Sequence, residues 1–262
     1  MPSGRKSRAS RHTAVASPPG RGTRRASPRV IGVAAGVVVI AAVAIVLAVV
    51  LGGGSKTKTN VPAVGSLANA LPGAAEVHTL FKGIPQSGLQ LGKASAPVTV
   101  VEYLDLQCPY CREVEVSVIP DIVTRYVRPG KAKIMLHPLA FTGSDSVRGR
   151  NALIAASEQD HAFDFADVLY LNQGVENTGW LNDHMVEAAA ASIPGLKVPA
   201  LLDERNAAGV SKLAKQFDSL AAAAHVDATP TFVIGSSFGG AKTTLVAPTA
   251  QALSAAIQAA LS

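Results

Sequence analysis

The sequence predicts an α/β domain that follows a single N-terminal transmembrane helix, and three observations lead to this fold class. An uncharged apolar run occupies residues 30–51. Short apolar segments with strand character lie before residue 142 and again after residue 228. Between them, residues 144–225 are rich in Ala and Leu, with acidic residues near possible helix starts, which predicts mostly helix.

The charge is divided unevenly along the chain. The 262 residues include 24 Lys or Arg and 18 Asp or Glu, a formal net charge of +6. Residues 1–51 hold eight of the basic residues and no acid, so the remainder has 16 basic and 18 acidic residues and a net charge of −2. We therefore do not expect nucleic acid as a partner of the folded part. Residues 1–29, rich in Arg, Ser and Pro, are expected to form a basic disordered tail.

The apolar run VIGVAAGVVVIAAVAIVLAVVL has 22 residues and no charged side chain. As a helix it would be about 33 Å long, enough to cross a bilayer core of about 30 Å. A cleaved secretory signal has a shorter apolar region, of about 7 to 15 residues, so we expect an uncleaved single-pass anchor. The basic tail then places the N-terminus in the cytoplasm and the later residues outside it. Residues 52–78 are expected to form a linker off the cell membrane, and residues 79–262 the folded domain outside the cytoplasm.

The apolar patterns predict four strands and a closing helix in residues 79–262. The segment APVTVVEYLDLQ, at 96–107, predicts a strand that is buried on both faces. Further strands are predicted at 131–141, 229–235 and 243–248, and an amphipathic helix at 249–262. Residues 112–127 fit a strand and a helix equally well, because their β-branched residues and Pro120 weaken an otherwise helical pattern.

The only two cysteines form the motif CPYC, from Cys108 to Cys111. A spacing of three places both side chains on one face of the first turn of a helix. Cys108 at the helix start would have its thiolate stabilised by free N–H groups and the helix dipole, which lowers a thiol pKa. Pro109 fits the first helical position, whose N–H has no partner within the helix. Cys111 would then be the shielded, resolving thiol.

Two other interpretations of the pair are weaker. Zinc takes four ligands, whereas the pair supplies two, and the six histidines contain no His-x3–5-His spacing. A disulfide across so short a loop removes little entropy from the unfolded chain, so it would stabilise poorly. The sequence therefore favours a redox pair over a metal site or a structural disulfide.

The motif VVEYLDLQCPYC, followed much later by ATPTFVIG, resembles the thioredoxin superfamily, and most closely the DsbA-like thiol–disulfide oxidoreductases of bacterial envelopes. The resemblance runs from about Gly83 to the C-terminus. It implies a thioredoxin fold with a helical domain inserted at about 144–225, and a helix after the CPYC motif. Cys111 and Pro230 lie 119 positions apart, far more than a bare thioredoxin or glutaredoxin core uses.

The resemblance also implies roles for particular residues. Pro230 matches the cis proline that faces the active disulfide, and Thr229 the residue whose backbone pairs with a bound peptide. Glu102, six positions before Cys108, matches a buried acid that moves protons during thiol exchange. Tyr110 stands where the best-known DsbA proteins have His; because Tyr cannot carry a positive charge, the resemblance does not imply strong oxidising power.

Asp105 lies three positions before Cys108, near the expected exposed end of the strand. Of two interpretations, a role in tuning the thiol and a solvated carboxylate, we expect the second.

These observations lead to an expected function outside the cytoplasm. The chain is expected to form disulfides in exported proteins that contain cysteines, and to need no cofactor. A membrane partner, which the resemblance implies is quinone-linked, would re-oxidise it. The alternatives are a reductase or isomerase on the same fold, or a non-catalytic module that binds a metal or scaffolds a partner. No motif reveals the direction of exchange, because direction depends on reduction potential.

Overall fold

The structure, a computed structural model, describes residues 61–237 and 243–262. The basic tail, the transmembrane helix and the first part of the linker predicted from the sequence lie outside the described residues. Within those ranges, none of the helices combines the length and the apolar character needed to cross a bilayer.

A six-stranded mixed sheet forms the centre of the described domain, with strand order β1-β2-β4-β3-β5-β6. Strand β3 is central, since it pairs in parallel with β4 on one side and antiparallel with β5 on the other. Its apolar residues are accordingly buried, apart from the half-buried Val101, in agreement with the sequence prediction. In chain order the strands β1 to β6 are Gln86–Ser87, Gln90–Leu91, Val98–Leu104, Ala132–Pro138, Thr231–Ser236 and Thr244–Val246.

Helices cover the sheet and form a separate layer between β4 and β5. Those outside this layer are α1 (Ala74–Phe81), α2 (Pro109–Ser117), α3 (Ile119–Ile122), a π-helical turn (Val123–Val127) and α9 (Ala250–Leu261). The layer itself consists of α4 (Ser144–Ser157), α5 (Ala162–Leu171), α6 (Asp183–Ala191), α7 (Val198–Glu204) and α8 (Ala208–Ala223). Helix α5 packs against both α1 and α2, so the layer adjoins the element that follows the cysteine motif.

Residues 112–127, whose pattern is ambiguous, are helical. Pro120 lies in the first turn of α3, where no intrahelical N–H bond is lost, so it separates α3 from α2 without breaking either. The helical expectation drawn from the resemblance is therefore confirmed.

The predicted linker is wrong for the described part of its range. Helix α1 begins at Ala74, and the segment before it pairs with the loop after α6: Val64 forms a β-bridge with Lys197, and the Gly65 N–H donates to the Leu196 carbonyl at 2.8 Å. A Cβ on Gly65 would collide with the Ile193 carbonyl oxygen, so the approach requires glycine. Composition alone did not reveal this packing because the partners lie more than 120 positions away.

Candidate active site

The cysteine motif lies where the central strand gives way to a helix. Strand β3 ends at Leu104, and the Cys108 N–H donates to the Asp105 carbonyl at 3.0 Å, which closes a turn. Cys108 is the N-cap residue of α2, with extended φ and ψ of −69° and 120°, and Pro109 occupies the first helical position. The geometry matches the strand-to-helix turn that the spacing and the proline predict.

The two sulfurs, both free thiols in this structure, differ in acidity. A hydrogen bond from the Cys111 side chain lowers the pKa of Cys108 to about 6, and hydrogen bonds from the Thr229 side chain and the N–H groups of Cys111 and Tyr110 contribute, while burial opposes them. Cys111 is fully buried, and burial with the neighbouring Cys108 raises its pKa well above the ordinary value. At neutral pH, Cys108 is therefore mainly thiolate and Cys111 is thiol.

The loop before β5 faces the sulfur of Cys108. The Thr229–Pro230 peptide bond is cis, as the resemblance implies, and the Cys108 Sγ lies 3.2 Å from the Thr229 carbonyl oxygen, to which the thiol can donate. Tyr110, whose side chain is 68% exposed, lines a surface groove with Pro230 and Pro248. The structure thus brings Thr229, Pro230 and Tyr110 together beside Cys108.

Glu102 lies beneath the motif on β3 and is fully buried. Burial is the largest influence and raises its pKa to about 7; a hydrogen bond with Glu115 lowers it, and the charge of Asp167 raises it. When all these carboxyls are ionised, neither oxygen of Glu102 has a donor within reach. When Glu115 is protonated it can donate to Glu102, because two carboxyl groups share a hydrogen bond only if one of them carries a proton.

The expectation that Asp105 is solvated is wrong. Its side chain is fully buried, and its oxygens accept backbone N–H groups from Gln107 at 2.9 Å, Phe141 at 2.7 Å and Thr142 at 2.9 Å. A carboxylate can be buried when several donors replace its water shell. Two of these donors follow β4, 36 and 37 positions along the chain, so local sequence gave no sign of them.

Helix α5 and the loop after it also hold the cysteine turn, a contact that sequence reasoning missed. The Gln173 amide donates to the carbonyls of Leu106 at 2.9 Å and Cys108 at 3.2 Å. The buried Tyr170 hydroxyl donates to the Asp105 carbonyl at 3.2 Å. The turn that presents Cys108 is therefore fixed by residues of the helical layer as well as by the sheet.

Two further buried carboxyls were missed as well. Glu115 on α2 is 5% exposed and Asp167 on α5 is 7% exposed. The one local signal for Glu115 is its position four residues after Cys111, on the same face of the helix. Asp167 stands in the apolar segment AFDFADVLYL, where a charged residue on a buried helix is unusual.

The fold and the dithiol site define a protein of the thioredoxin class. The family model described as Thioredoxin matches residues 86–258, so the chain belongs to this family. A probable disulfide bond formation protein D from Bacillus cereus is 35% identical over 98 residues, which are 37% of this chain and 45% of that relative. Disulfide bond formation protein D of Bacillus subtilis is 27% identical over 149 residues, 55% of this chain and 66% of that one.

Solved structures share the fold. The crystal structure of oxidised BdbD from Bacillus subtilis aligns with a TM-score of 0.59 and 22% identity, over 68% of this chain and 97% of that one. Wolbachia pipientis α-DsbA1 aligns with a TM-score of 0.56 and 21% identity, over 71% and 95% of the two chains. The matched part thus spans less than half of the Bacillus cereus relative but nearly all of these two solved chains.

Proposed function

We propose that this protein is a thiol–disulfide oxidoreductase that forms disulfides in exported proteins from a membrane-anchored position outside the cytoplasm. The observation that carries the proposal is the opposite perturbation of two neighbouring thiols, with Cys108 ionised near pH 6 and Cys111 kept protonated. A structural thiol pair does not need one ionised and one protonated thiol, whereas an exchange reaction needs both. The names of the Bacillus relatives support the same activity.

The reaction starts from the Cys108–Cys111 disulfide. A client thiolate attacks the Cys108 sulfur, the bond between the two cysteines breaks, and Cys111 leaves as a thiolate that takes up a proton. A second client thiolate then attacks the client sulfur of the mixed disulfide and releases Cys108 as a thiolate. Two electrons pass from the client to the cysteine pair, and the client gains one disulfide.

The acidity of Cys108 favours the oxidising direction. A thiol with a pKa of about 6 is about nine-tenths ionised at pH 7, which stabilises the reduced protein by about 1.4 kcal/mol. For a two-electron couple this corresponds to a potential about 30 mV more oxidising than that of a pair with ordinary thiols. This shift in reduction potential is modest. It agrees with the presence of Tyr110 at the position where a cationic histidine would stabilise the thiolate further.

The exposed groove beside Pro230 is the proposed client site. It contains an exposed aromatic side chain, that of Tyr110, whose backbone N–H donates to the sulfur that forms the mixed disulfide. An extended client segment would lie there without needing a particular sequence, which suits a protein that serves many exported proteins. Re-oxidation by a quinone-linked membrane partner completes the proposed cycle.

Two measurements test the function. Cys111→Ser should accumulate mixed disulfides with client proteins, whereas Cys108→Ser should abolish exchange; if both variants oxidise a reduced peptide at the wild-type rate, the proposal fails. Equilibration with glutathione should give a potential between that of protein disulfide isomerase, about −180 mV, and that of thioredoxin, about −270 mV. A value near the latter would favour the reductase alternative.

The non-catalytic alternative has less support. Among residues 61–237 and 243–262, no group of three or more His, Cys, Asp or Glu side chains is arranged to hold a metal ion. A scaffold would also keep its function after loss of both thiols, which the Cys108→Ser variant tests directly.

A further inference from the structure

We infer that the loop between α5 and α6, residues 172–182, forms a second contact surface for client proteins beside Cys108. Through Val175 and Glu176 it favours client segments that carry an apolar residue and a basic residue next to the reacting cysteine. The inference deepens the proposed function and rests on it, because it names a substrate preference for the same site.

Two glutamines attach this loop to the cysteine turn, one from each side. Gln173 in the loop donates its side-chain amide to two backbone carbonyls of the turn, including that of Cys108 at 3.2 Å. Gln107 in the turn is fully buried, and its side-chain oxygen accepts the Asn177 N–H at 3.0 Å. Residues 174–176 lie between these two anchors, so they are held beside the turn that carries the reactive sulfur.

The same attachment extends to the first helix of the helical layer. The Gln107 amide donates at 3.1 Å to the hydroxyl of Ser146, which is buried in the first turn of α4. The Asn177 side chain lies against Gly143, just before α4, where a Cβ would come within 2.5 Å of the Asn177 Oδ1. The loop is therefore fixed against both the cysteine turn and α4.

Contacts within the loop fix its own conformation. The Thr178 hydroxyl donates to the Val175 carbonyl at 2.7 Å, and Asn177 adopts a left-handed φ of 58°. Gly174 packs so closely on Trp180 that a Cβ there would lie 2.7 Å from the Trp180 Cβ. The tip of the loop is thus exposed but ordered, so that little conformational entropy remains to be lost when a client binds.

The exposed apolar side chains of highest accessibility lie next to Cys108. Val175, at 72%, is the most exposed large apolar side chain in the part of the chain that the structure describes, and Tyr110 is the next. Tyr110 donates its backbone N–H to the Cys108 sulfur, while Val175 follows two positions after the glutamine that binds the Cys108 carbonyl. Single exposed apolar residues are ordinary, whereas their concentration around one reactive atom indicates an interaction surface.

A client chain joined to Cys108 is the occupant that this position fits. In the mixed disulfide the client's cysteine is bonded to the Cys108 sulfur, and an extended chain advances about 3.3 to 3.6 Å per residue. The residues on one side of that cysteine enter the groove with Tyr110 and Pro230, and those on the other side pass over the loop. Contacts formed while the two sulfurs are within bonding distance are intramolecular, so two side chains at a loop tip suffice to set a preference.

The charge around the site favours a basic client segment. Exposed acidic residues come from each of three segments near Cys108: Glu113 on α2, Glu176 in the loop and Asp227 before the cis proline. Arg112 is an exposed base in the same region, and its Nε is directed to a backbone carbonyl at the end of α5. Three carboxylates against one guanidinium attract cationic segments and repel anionic ones.

The first test measures how fast the oxidised full-length chain reacts with reduced peptides in a single turnover. The peptides hold two cysteines and differ only in the two residues beside the first one, which are Leu-Lys, Leu-Glu or Ser-Ser. One set carries these residues before the cysteine and a second set carries them after it. In one of the two sets, the Leu-Lys peptide should react about fivefold faster than the Leu-Glu peptide at low salt, and the difference should shrink as salt is added.

Variants of the loop tip should change this preference. Val175→Ser should slow both Leu-containing peptides of that set about fivefold, the loss expected for a partly buried aliphatic contact, and leave the Ser-Ser peptide unchanged. Glu176→Lys should reverse the order of the Leu-Lys and Leu-Glu peptides. The matched controls are Val116→Ser, at an exposed valine that lines a pocket with α1, and Glu204→Lys, which makes the same charge change on α7.

A small reductant separates client contact from damage to the cysteines. Dithiothreitol has no polypeptide chain to reach the loop, so it should reduce the disulfide of Val175→Ser within about twofold of the wild-type rate. A purely structural role of Val175 would instead slow the reactions with dithiothreitol and with all peptides alike. Val175→Ala replaces Val175→Ser in these measurements if the latter fails to fold.

Cross-linking tests the position of the client directly. Cys111→Ser should trap a mixed disulfide with a peptide that carries a benzophenone side chain two residues from its cysteine. With the label on one side of the cysteine, photolysis should modify residues 173–178, and with the label on the other side it should modify the groove that contains Tyr110 and Pro248. Mass spectrometry of the digested complex identifies the modified residues.

The outcomes separate the inference from the proposed function. Unchanged peptide rates in Val175→Ser, an equal loss in Val116→Ser, an unchanged charge preference in Glu176→Lys, or labels confined to the groove would each overturn the contact with the loop. A wild-type chain that oxidises none of the peptides overturns the proposed function instead.

Discussion

Replacing Glu102 by Gln should change the pH dependence of stability. In the folded protein the pKa of Glu102 is about 7, mainly because of burial, compared with 4.5 for an unperturbed glutamate. The folded state therefore binds this proton more tightly than the unfolded state does. Its stabilising contribution is fully present below pH 4.5 and is lost as the pH rises through 7.

The size of this stability contribution follows from the difference between the two pKa values of Glu102. At about 1.4 kcal/mol per pH unit, the interval from 4.5 to 7 corresponds to about 3 kcal/mol. Glutamine has nearly the shape of protonated glutamate and does not ionise. The Glu102→Gln variant should therefore have nearly the stability of the wild type at pH 4, and exceed it by about 3 kcal/mol at pH 8.

Urea denaturation under reducing conditions measures this difference, with the fluorescence of the single tryptophan, Trp180, as the signal. Glu113→Gln is the control, because it makes the same substitution at an exposed glutamate on α2. A stability difference between Glu102→Gln and the wild type that is the same at pH 4 and pH 8 would refute the reasoning, since it would mean that Glu102 does not change protonation in that range.

Three further predictions concern the thiols, the strand end and the N-terminal segment. Iodoacetamide should alkylate Cys108 with a midpoint near pH 6 and spare Cys111, whereas a midpoint near 8.5 would show an ordinary thiol. Asp105→Asn should lower the free energy of unfolding by about 2 kcal/mol or more in urea denaturation, because an amide cannot accept all three backbone N–H groups, and an unchanged value would contradict that role. Gly65→Ala should cost about 1 to 3 kcal/mol through collision with the Ile193 carbonyl, and a neutral result would show that the segment does not pack there.

The features that the sequence predicts well are those determined by residues close to one another in the chain. The start of α2 follows from Pro109 and the apolar run before it, and the burial of β3 follows from its continuous apolar residues. The ambiguity of residues 112–127 has a physical origin, because β-branched side chains disfavour a helix that tertiary packing then imposes.

The features that the sequence did not predict depend on contacts between distant elements. The burial of Asp105 depends on N–H groups donated from beyond β4, and the pairing of Glu115 with Asp167 exists only because α5 packs on α2. In the same way, the segment around Gly65 looks like a linker until its pairing with the loop after α6 is known. Spacing and composition describe a single segment and carry no information about such partners.

The hydrogen bonds from Gln173 and Tyr170 to the cysteine turn bear on attempts to reduce the size of this domain. A shortened protein that joins β4 directly to β5 would retain every strand and both sulfurs, and by sequence motif it would look complete. It would nevertheless remove one donor from each of three turn carbonyls and would expose the underside of the redox pair to solvent. Grafting the CPYC motif with its sheet alone is thus expected to transfer the sulfurs without their reactivity.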